Sequence, residues 1–329
     1  MDDEAFGGDD GGMTAVETPD LWTTTDPLGE ALHALRVQGV FYARSELTAP
    51  WGLELPAMPD CLWFHFPVLG HCLLEIGDAE PQLLQAGDFA LVPSGERHFL
   101  RSEAGARTVS MYDPPYEQVS DSYILMRHGE GGAPTSLVCG AVRVDHPAAK
   151  SLLAVLPETI HIGSTSSPQY EWMQSTLRLM GSEASALRPG GEAVITRLAD
   201  ILIIQTIRSW IESDEAGQAG WLSGLRDPQI GRAITAIHRQ PDRPWSVASL
   251  ADHVSMSRSS FAERFTRVVG EPVLSYLTRW RMQVAASALS EGDSTVAELA
   301  QRLGYQSEAA FSRAFKRVTG TSPGALRKP

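Results

Sequence analysis

A repeat near the end of the chain constrains the fold more than any other feature. Ser246–Gly270, SVASLADHVSMSRSSFAERFTRVVG, is matched by Thr295–Gly320, TVAELAQRLGYQSEAAFSRAFKRVTG. Val247, Leu250 and Ala251 recur 49 residues on as Val296, Leu299 and Ala300. After a one-residue insertion, Ser257, Phe261, Phe265, Arg267, Val268 and Gly270 recur 50 residues on as Ser307, Phe311, Phe315, Arg317, Val318 and Gly320. Each copy reads as a short helix, a turn and a longer helix. Thr295 and Glu298 make a T-x-x-E capping box, and Ser257 and Ser307 stand where caps of the longer helices belong. Phe311 and Phe315 share a face with Ala314 and Val318. Gly270 and Gly320 suit the left-handed position that ends a helix. Two helices joined by so short a turn form a helix-turn-helix, whose second helix enters the DNA major groove with its N-terminal residues against the bases. One such hairpin is an ordinary device of helical proteins. Two copies in a basic segment point to nucleic acid.

The charge distribution agrees. The chain has 329 residues and net charge −13. From Pro228 onward there are 14 Lys and Arg against 8 Asp and Glu, net +6, which leaves 13 against 32, net −19, for the rest. Only the last third is therefore suited to a polyanion. The length fits two domains. No apolar run is long enough to span a bilayer. The start, MDDEAFGGDDGGM, lacks the basic and apolar regions of a signal peptide and reads as a disordered acidic tail over residues 1–20, with Met13 an alternative start. Cys61, Cys72 and Cys139 are odd in number and lack metal-type spacing, which fits a reducing cytoplasm.

On the longer helix of the second copy, Glu308, Ala309, Ser312 and Arg313 face outward near its start and are base-reading candidates. Their counterparts in the first copy are Arg258, Ser259, Ala262 and Glu263. The Arg313 fork fits guanine O6 and N7 together. Lys316, Arg317 and Arg267 lie further from the helix starts and are phosphate candidates. Glu308 also suits the dipole of the first turn.

Together with WLSGLRDPQIGRAITAIHRQPDRPWSVASLA, MSRSSFAERF, YLTRWRMQVAASALS and GYQSEAAFSRAFKRVTGTSPGALR, the segment from about Trp221 to Arg327 resembles the AraC/XylS family of bacterial transcription regulators. The resemblance implies two helix-turn-helix units in one monomer, held apart by a connecting helix at about Leu274–Ser290. Both recognition helices would lie in successive major grooves of an operator. RNA polymerase is a candidate further partner. One departure is Glu263, where family members often carry Arg. Glu accepts from cytosine N4 but cannot grip guanine as Arg does. The first helix is therefore expected to read a different base or to contribute little.

From Gly39 to about Asp145 the chain reads as short strands broken by Gly and Pro, among them GVFYARSEL, CLWFHFPVL, HCLLEIG and SLVCGAVRVD. Such a run indicates a β-sandwich or small barrel. GDFALVPSGERH, Gly87–His98, is similar to the second motif of the cupins, and the resemblance implies a cupin-like barrel. If Gly70 closes the first motif, its usual metal positions hold Pro56, Met58 and Trp63, none of them an ordinary ligand. His98 remains, and His65 shares a strand face with Trp63. A His65, His98 and Cys139 set suits zinc chemically. That zinc site is the lesser alternative: the expectation is no cofactor and a plain receptor pocket, with Trp51, Trp63, His65, Cys72 and His98 as lining candidates for a small-molecule effector.

Pro157–Gln169 has the composition of a linker. Glu192–Glu212 reads as one helix so apolar that it must be covered on more than one side, by the barrel and a second copy of the chain, or within one chain by the barrel and YEWMQSTLRLM. The expected fold is therefore α+β with two domains. Residues 21–156 form a cupin-like β-barrel and 157–220 a linker and helical dimerisation region. Residues 221–329 form an all-α double helix-turn-helix, with units at 246–270 and 295–320. The expected function is a cytoplasmic, homodimeric, non-enzymatic, operator-binding regulator controlled by a small molecule, without contact to membranes. The rivals are a metal-dependent cupin enzyme with a fused DNA-binding tail and a ligand-independent architectural DNA binder.

Overall fold

The computed structural model describes Leu28, Gly29, Leu32, Leu35 and residues 38–144, 147–163, 171–186, 189–213, 220–292 and 294–326. The expected acidic tail lies outside these residues. The strands are β1 (Gln38–Thr48), β2 (Gly52–Leu55), β3 (Cys61–Leu69), β4 (His71–Ile76), β5 (Gln82–Gln85), β6 (Phe89–Val92), β7 (His98–Arg101), β8 (Val109–Ser110), β9 (Tyr116–Gln118), β10 (Tyr123–Gly129), β11 (Pro134–Arg143) and β12 (Ile160–Ile162). They form one sheet in the order β12-β6-β3-β11-β1-β10-β9 and a second in the order β5-β4-β7-β2-β8. The expected barrel is thus two sheets, and it is not closed. The strands at three of the four edges, β9, β8 and β12, carry only two or three residues each, too few for the ladders that would join the sheets.

β3 shows how alternation builds two cores. Its residues Cys61 to Pro67 are all buried. Trp63 points between the sheets, into a core with Leu53, Leu74, Leu84, Val92 and Leu137. Leu62, Phe64 and Phe66 point the other way, under helices. A strand covered on both faces reads as a near-continuous apolar run, which is why CLWFHFPVL has no regular polar alternate and His65 interrupts it once. The cupin-like motif has a local cause too. Gly95 turns at φ 65°, and a Cβ there would collide with the carbonyls of Met58 and Cys61.

The helices are α1 (Pro147–Leu153), α2 (Glu171–Ala186), α3 (Gly191–Glu212), α4 (Gly220–Leu225), α5 (Pro228–Arg239), α6 (Val247–His253), α7 (Arg258–Val269), α8 (Val273–Glu291), α9 (Val296–Arg302), α10 (Glu308–Thr319) and α11 (Pro323–Leu326). α2 and α3 pack on each other, and α2 also packs on β3. Ile203 and Ile207 of α3 are fully buried within the chain, whereas Val194 and Ile201 are 39% and 46% exposed. The stretch expected to be a linker contains β12, which pairs with β6 from Ile160↔Leu91 to Ile162↔Phe89.

The apolar packing crosses the boundary between strands and helices. One core runs from Phe64 and Phe89 through Ile203 and Ile207 to Trp221, Phe261, Phe265 and Trp280. A separate core holds Met282, Ala285, Leu289, Leu299, Leu303, Phe311 and Phe315. α8 therefore belongs to the first core at its beginning and to the second towards its end. α1 lies against α8. The Arg226 guanidinium donates to the carbonyls of Ile211 and Ser213, where a cation favours the C-terminal end of α3.

Candidate nucleic-acid interface and buried polar cluster

The longer helices of the repeat are α7 and α10. Ser257 accepts from the Ser260 amide and Ser307 from the Ala310 amide, which caps their first turns. Gly270 at φ 85° and Gly320 at φ 77° end them. Both halves of the Thr295–Glu298 capping box form at the start of α9. Phe261 and Phe265 of α7 and Phe311 and Phe315 of α10 are fully buried, each pair in ring contact at 5.7 Å. The same period turns the other residues outward. Arg258, Ser259, Glu263 and Arg267 are exposed on α7, and Glu308, Ala309, Arg313, Lys316 and Arg317 on α10. Ala262 and Ser312 are half-buried. The two faces carry opposite charge patterns. Where α7 has Arg258 then Glu263, α10 has Glu308 then Arg313 at matching positions.

The N-terminal domain brings three of its candidates into one hydrogen-bonded chain. His65 on β3 and Cys139 on β11 are register partners, and His98 sits on β7 of the opposite sheet. His98 Nδ1 lies 2.7 Å from the Glu96 carbonyl oxygen. A carbonyl only accepts, so Nδ1 carries the proton and Nε2 of the neutral ring is a lone pair. His65 Nε2, 2.8 Å away, must then donate to it. That leaves His65 Nδ1 as acceptor for the Cys139 thiol at 3.2 Å. Protonation states agree with this direction. Burial pulls His98 down to about 4, and burial with the neighbouring His98 holds His65 well below the ordinary range. Burial, assisted by Cys72, pushes the Cys139 thiol up. Cys72 itself is pushed up to about 12 by burial and by Asp88.

This geometry does not gather the three side chains around a single metal position. An imidazole gives a metal one nitrogen. Here Cys139 and His98 bond opposite nitrogens of His65, so the three residues do not converge on a point. Among the described residues, no group of three His, Cys, Asp or Glu is placed to hold a metal ion. Trp51, Trp63, His65, Cys72 and His98 are all buried between the sheets. Trp63 stacks on His65 at 6.2 Å and meets His98 edge-on at 5.7 Å. A cleft of about 610 Å³ opens nearby, beside Arg44, Leu47, Leu69, Arg127 and His128. Sequence reasoning missed it, because its walls come from strands far apart in the chain.

Comparison with known proteins decides what these parts belong to. A cupin family model matches residues 26–212, and a helix-turn-helix domain model matches residues 250–329. A putative AraC-like transcription regulator of Streptomyces lividans is 34% identical over 310 residues, covering 92% of this chain and 98% of that one. The chain belongs to the AraC-like transcription regulators. Other AraC-like relatives span it equally. RclR of Escherichia coli, an RCS-specific transcriptional activator, is 33% identical over 92% of this chain and 97% of its own. AlkR of Acinetobacter baylyi is 29% identical over 92% and 99%. Among solved structures, ToxT of Vibrio cholerae with a bound unsaturated fatty acid matches at TM-score 0.35 and 11% identity, over 88% of this chain and 94% of that one. That likeness is too slight to carry an argument.

The AraC-like assignment makes the protein a DNA-binding transcription regulator, with a cupin domain of two sheets and a C-terminal helix-turn-helix domain. Its relatives carry the names of regulators and not of enzymes. No helix of the described residues is long and apolar enough to cross a membrane.

Proposed function

We propose that this regulator reads its operator through the outward faces of α7 and α10, as a cytoplasmic homodimer controlled by a small molecule in the cupin domain. The observation that carries the reading is the pair of exposed faces, each net basic and each on a helix with a capped first turn. Arg313, with Glu308, Ala309 and Ser312, would contact base edges from α10. Arg258, Ser259, Ala262 and Glu263 would do so from α7. Lys316, Arg317 and Arg267 would bind phosphates, since they lie further along each helix. RNA polymerase is the further partner of such a regulator.

Two features support the control elements. Trp172 and Leu179 on α2 and Val194 and Ile201 on α3 are exposed apolar residues on two adjoining helices, a surface suited to a second copy. Between the sheets, the indole N–H groups of Trp51 and Trp63 are buried and have no hydrogen-bond partner among the described residues. They are donors suited to an effector that offers an acceptor atom. Leu47 of that core also borders the 610 Å³ cleft, a second place where an effector would fit. The effector acts only if it prefers one arrangement of the domains over another. Selecting bound fragments from random DNA with the full-length protein tests the reading. Recovery of no shared sequence would overturn it.

A further inference from the structure

Arg264 is the one arginine of α7 that turns sideways onto the rest of the domain. Its Nε donates to Asp227 Oδ2 at 2.7 Å, and its Nη2 lies 2.7 Å from the same oxygen. Its Nη1 donates to Gln229 Oε1 at 2.9 Å. Both acceptors have second tasks. Asp227 is the N-cap of α5, where Oδ1 accepts from the Gln229 and Ile230 amides at 3.0 and 3.1 Å. Gln229 uses its amide nitrogen to donate to the Val254 carbonyl at 3.1 Å, in the turn between α6 and α7. One planar fork thus joins the start of α5, the helix-turn-helix corner and the middle of the recognition helix. Burial alone would raise the Asp227 carboxyl, but the amides of Ile230 and Gln229 and the Arg264 guanidinium overcome it and hold it below the usual range.

The second unit lacks this arginine. At the matching position α10 carries Ala314, buried beside Phe311 and Phe315. α10 therefore has an apolar contact where α7 has a charged one. α7 carries the additional rigid fork.

We infer that Arg264 is a positioning residue, which fixes the roll of α7 through Asp227 and Gln229 so that Glu263 and Arg258 meet their bases, and does not itself bind DNA. The inference rests on the reading of α7 as a base-reading helix. It also separates Arg264 from Arg267, three residues on, which is exposed and suited to phosphate.

The test uses full-length protein and an operator obtained by selection with the unaltered chain. Equilibrium binding to every single-base variant of that operator is measured at two salt concentrations for the variants Arg264→Ala, Arg264→Lys, Asp227→Asn, Arg267→Ala, Glu263→Gln and Arg313→Ala. Arg264→Ala should flatten base preference by about tenfold, within the range one base contact supplies. The flattening should fall only at positions where Glu263→Gln changes preference, leaving positions sensitive to Arg313→Ala as they were. Asp227→Asn keeps the cap oxygen but loses the ion pair, and should flatten the same positions. Arg264→Lys keeps the charge without the fork and should restore binding only in part, which also serves if the alanine variant does not fold. The salt slope should fall by about one unit for Arg267→Ala and stay unchanged for Arg264→Ala. A fall in slope for Arg264→Ala would make Arg264 a phosphate contact and overturn the inference. Equal weakening at all positions would reduce it to a fold-stabilising role. If Glu263→Gln altered preference nowhere, Glu263 would read no base, and the assignment on which the inference rests would fail with it.

Discussion

Lowering the pH from 8 to 5 should destabilise the regulator steeply, because it buries neutral histidines. His238 is the clearest case. Its ring stacks on Trp280 at 3.7 Å and its Nε2 lies 2.6 Å from the Tyr276 hydroxyl. Burial, with Arg279 nearby, pulls it down to about 3, and burial pulls His98 down to about 4. An unfolded histidine titrates near 6.5. The folded state therefore binds fewer protons, so stability is complete above about 6.5 and is lost as the pH falls below it. At pH 5, about 1.5 units below the unfolded value, each histidine costs about 2 kcal/mol. The two together remove about 4 kcal/mol, a large share of the roughly 5–15 kcal/mol a domain has. His65 acts in the same direction. Asp200 acts in the other, since burial holds its carboxyl above the usual range. The decisive quantity is thus a difference between proteins. Urea unfolding followed by tryptophan fluorescence at pH 8, 7, 6 and 5, at fixed ionic strength, should show a smaller acid loss in His238→Gln, by about 2 kcal/mol at pH 5. Equal pH dependence in the two proteins would refute the argument, because it would mean that His238 charges as easily folded as unfolded.

Other tests concern separate parts. Arg313→Ala should cost roughly 1–3 kcal/mol at one base pair and relax preference there, and an even loss across single-base operator variants would remove it from base reading. Lys316→Ala should weaken binding to all sequences alike and lower the salt slope by about one unit, measured by titration at several salt concentrations. Ile203→Asp should unfold the chain, since it places an unpaired charge in a sealed core, whereas Ile201→Asp should stay folded and sediment as a monomer. A folded Ile203→Asp protein, or an undisturbed dimer for Ile201→Asp, would contradict the assignment of those faces. Elemental analysis of the purified protein should find no stoichiometric zinc. About one ion per chain, lost in His98→Ala, would mean that His65 turns to share a single metal with its neighbours.

The features legible in the sequence were the local ones. The repeat exposed α6, α7, α9 and α10 with their caps, because capping and the phenylalanine period are decided within a few residues. α5 was legible in principle. Asp227-Pro228 is a cap followed by proline, and Ile230, Ile234 and Ile237 share its buried face. β12 was hidden, because Ile160–Ile162 lies among serines and threonines and becomes a strand only through β6, some 70 residues earlier. The same distinction runs through the sites. His65, His98 and Cys139 were identified as a group, but the order of the chain through opposite nitrogens of His65 depends on how two sheets face each other. Arg264 escaped notice because its partner Asp227 lies 37 residues away, outside the repeat.

The division of apolar packing along α8 has a consequence for how the molecule comes apart. Val273, Tyr276, Leu277 and Trp280 lock the first half of this helix into the core shared with the strands, while Met282, Ala285 and Leu289 lock the second half to α9 and α10. Cooperative melting follows shared cores and not gene segments. The first helix-turn-helix should therefore lose its amide protection together with the cupin sheets. The second should open alone, with α8 fraying from its far end as far as Met282. For such a molecule, the first recognition helix is a fixed grip and the second a hand that can let go.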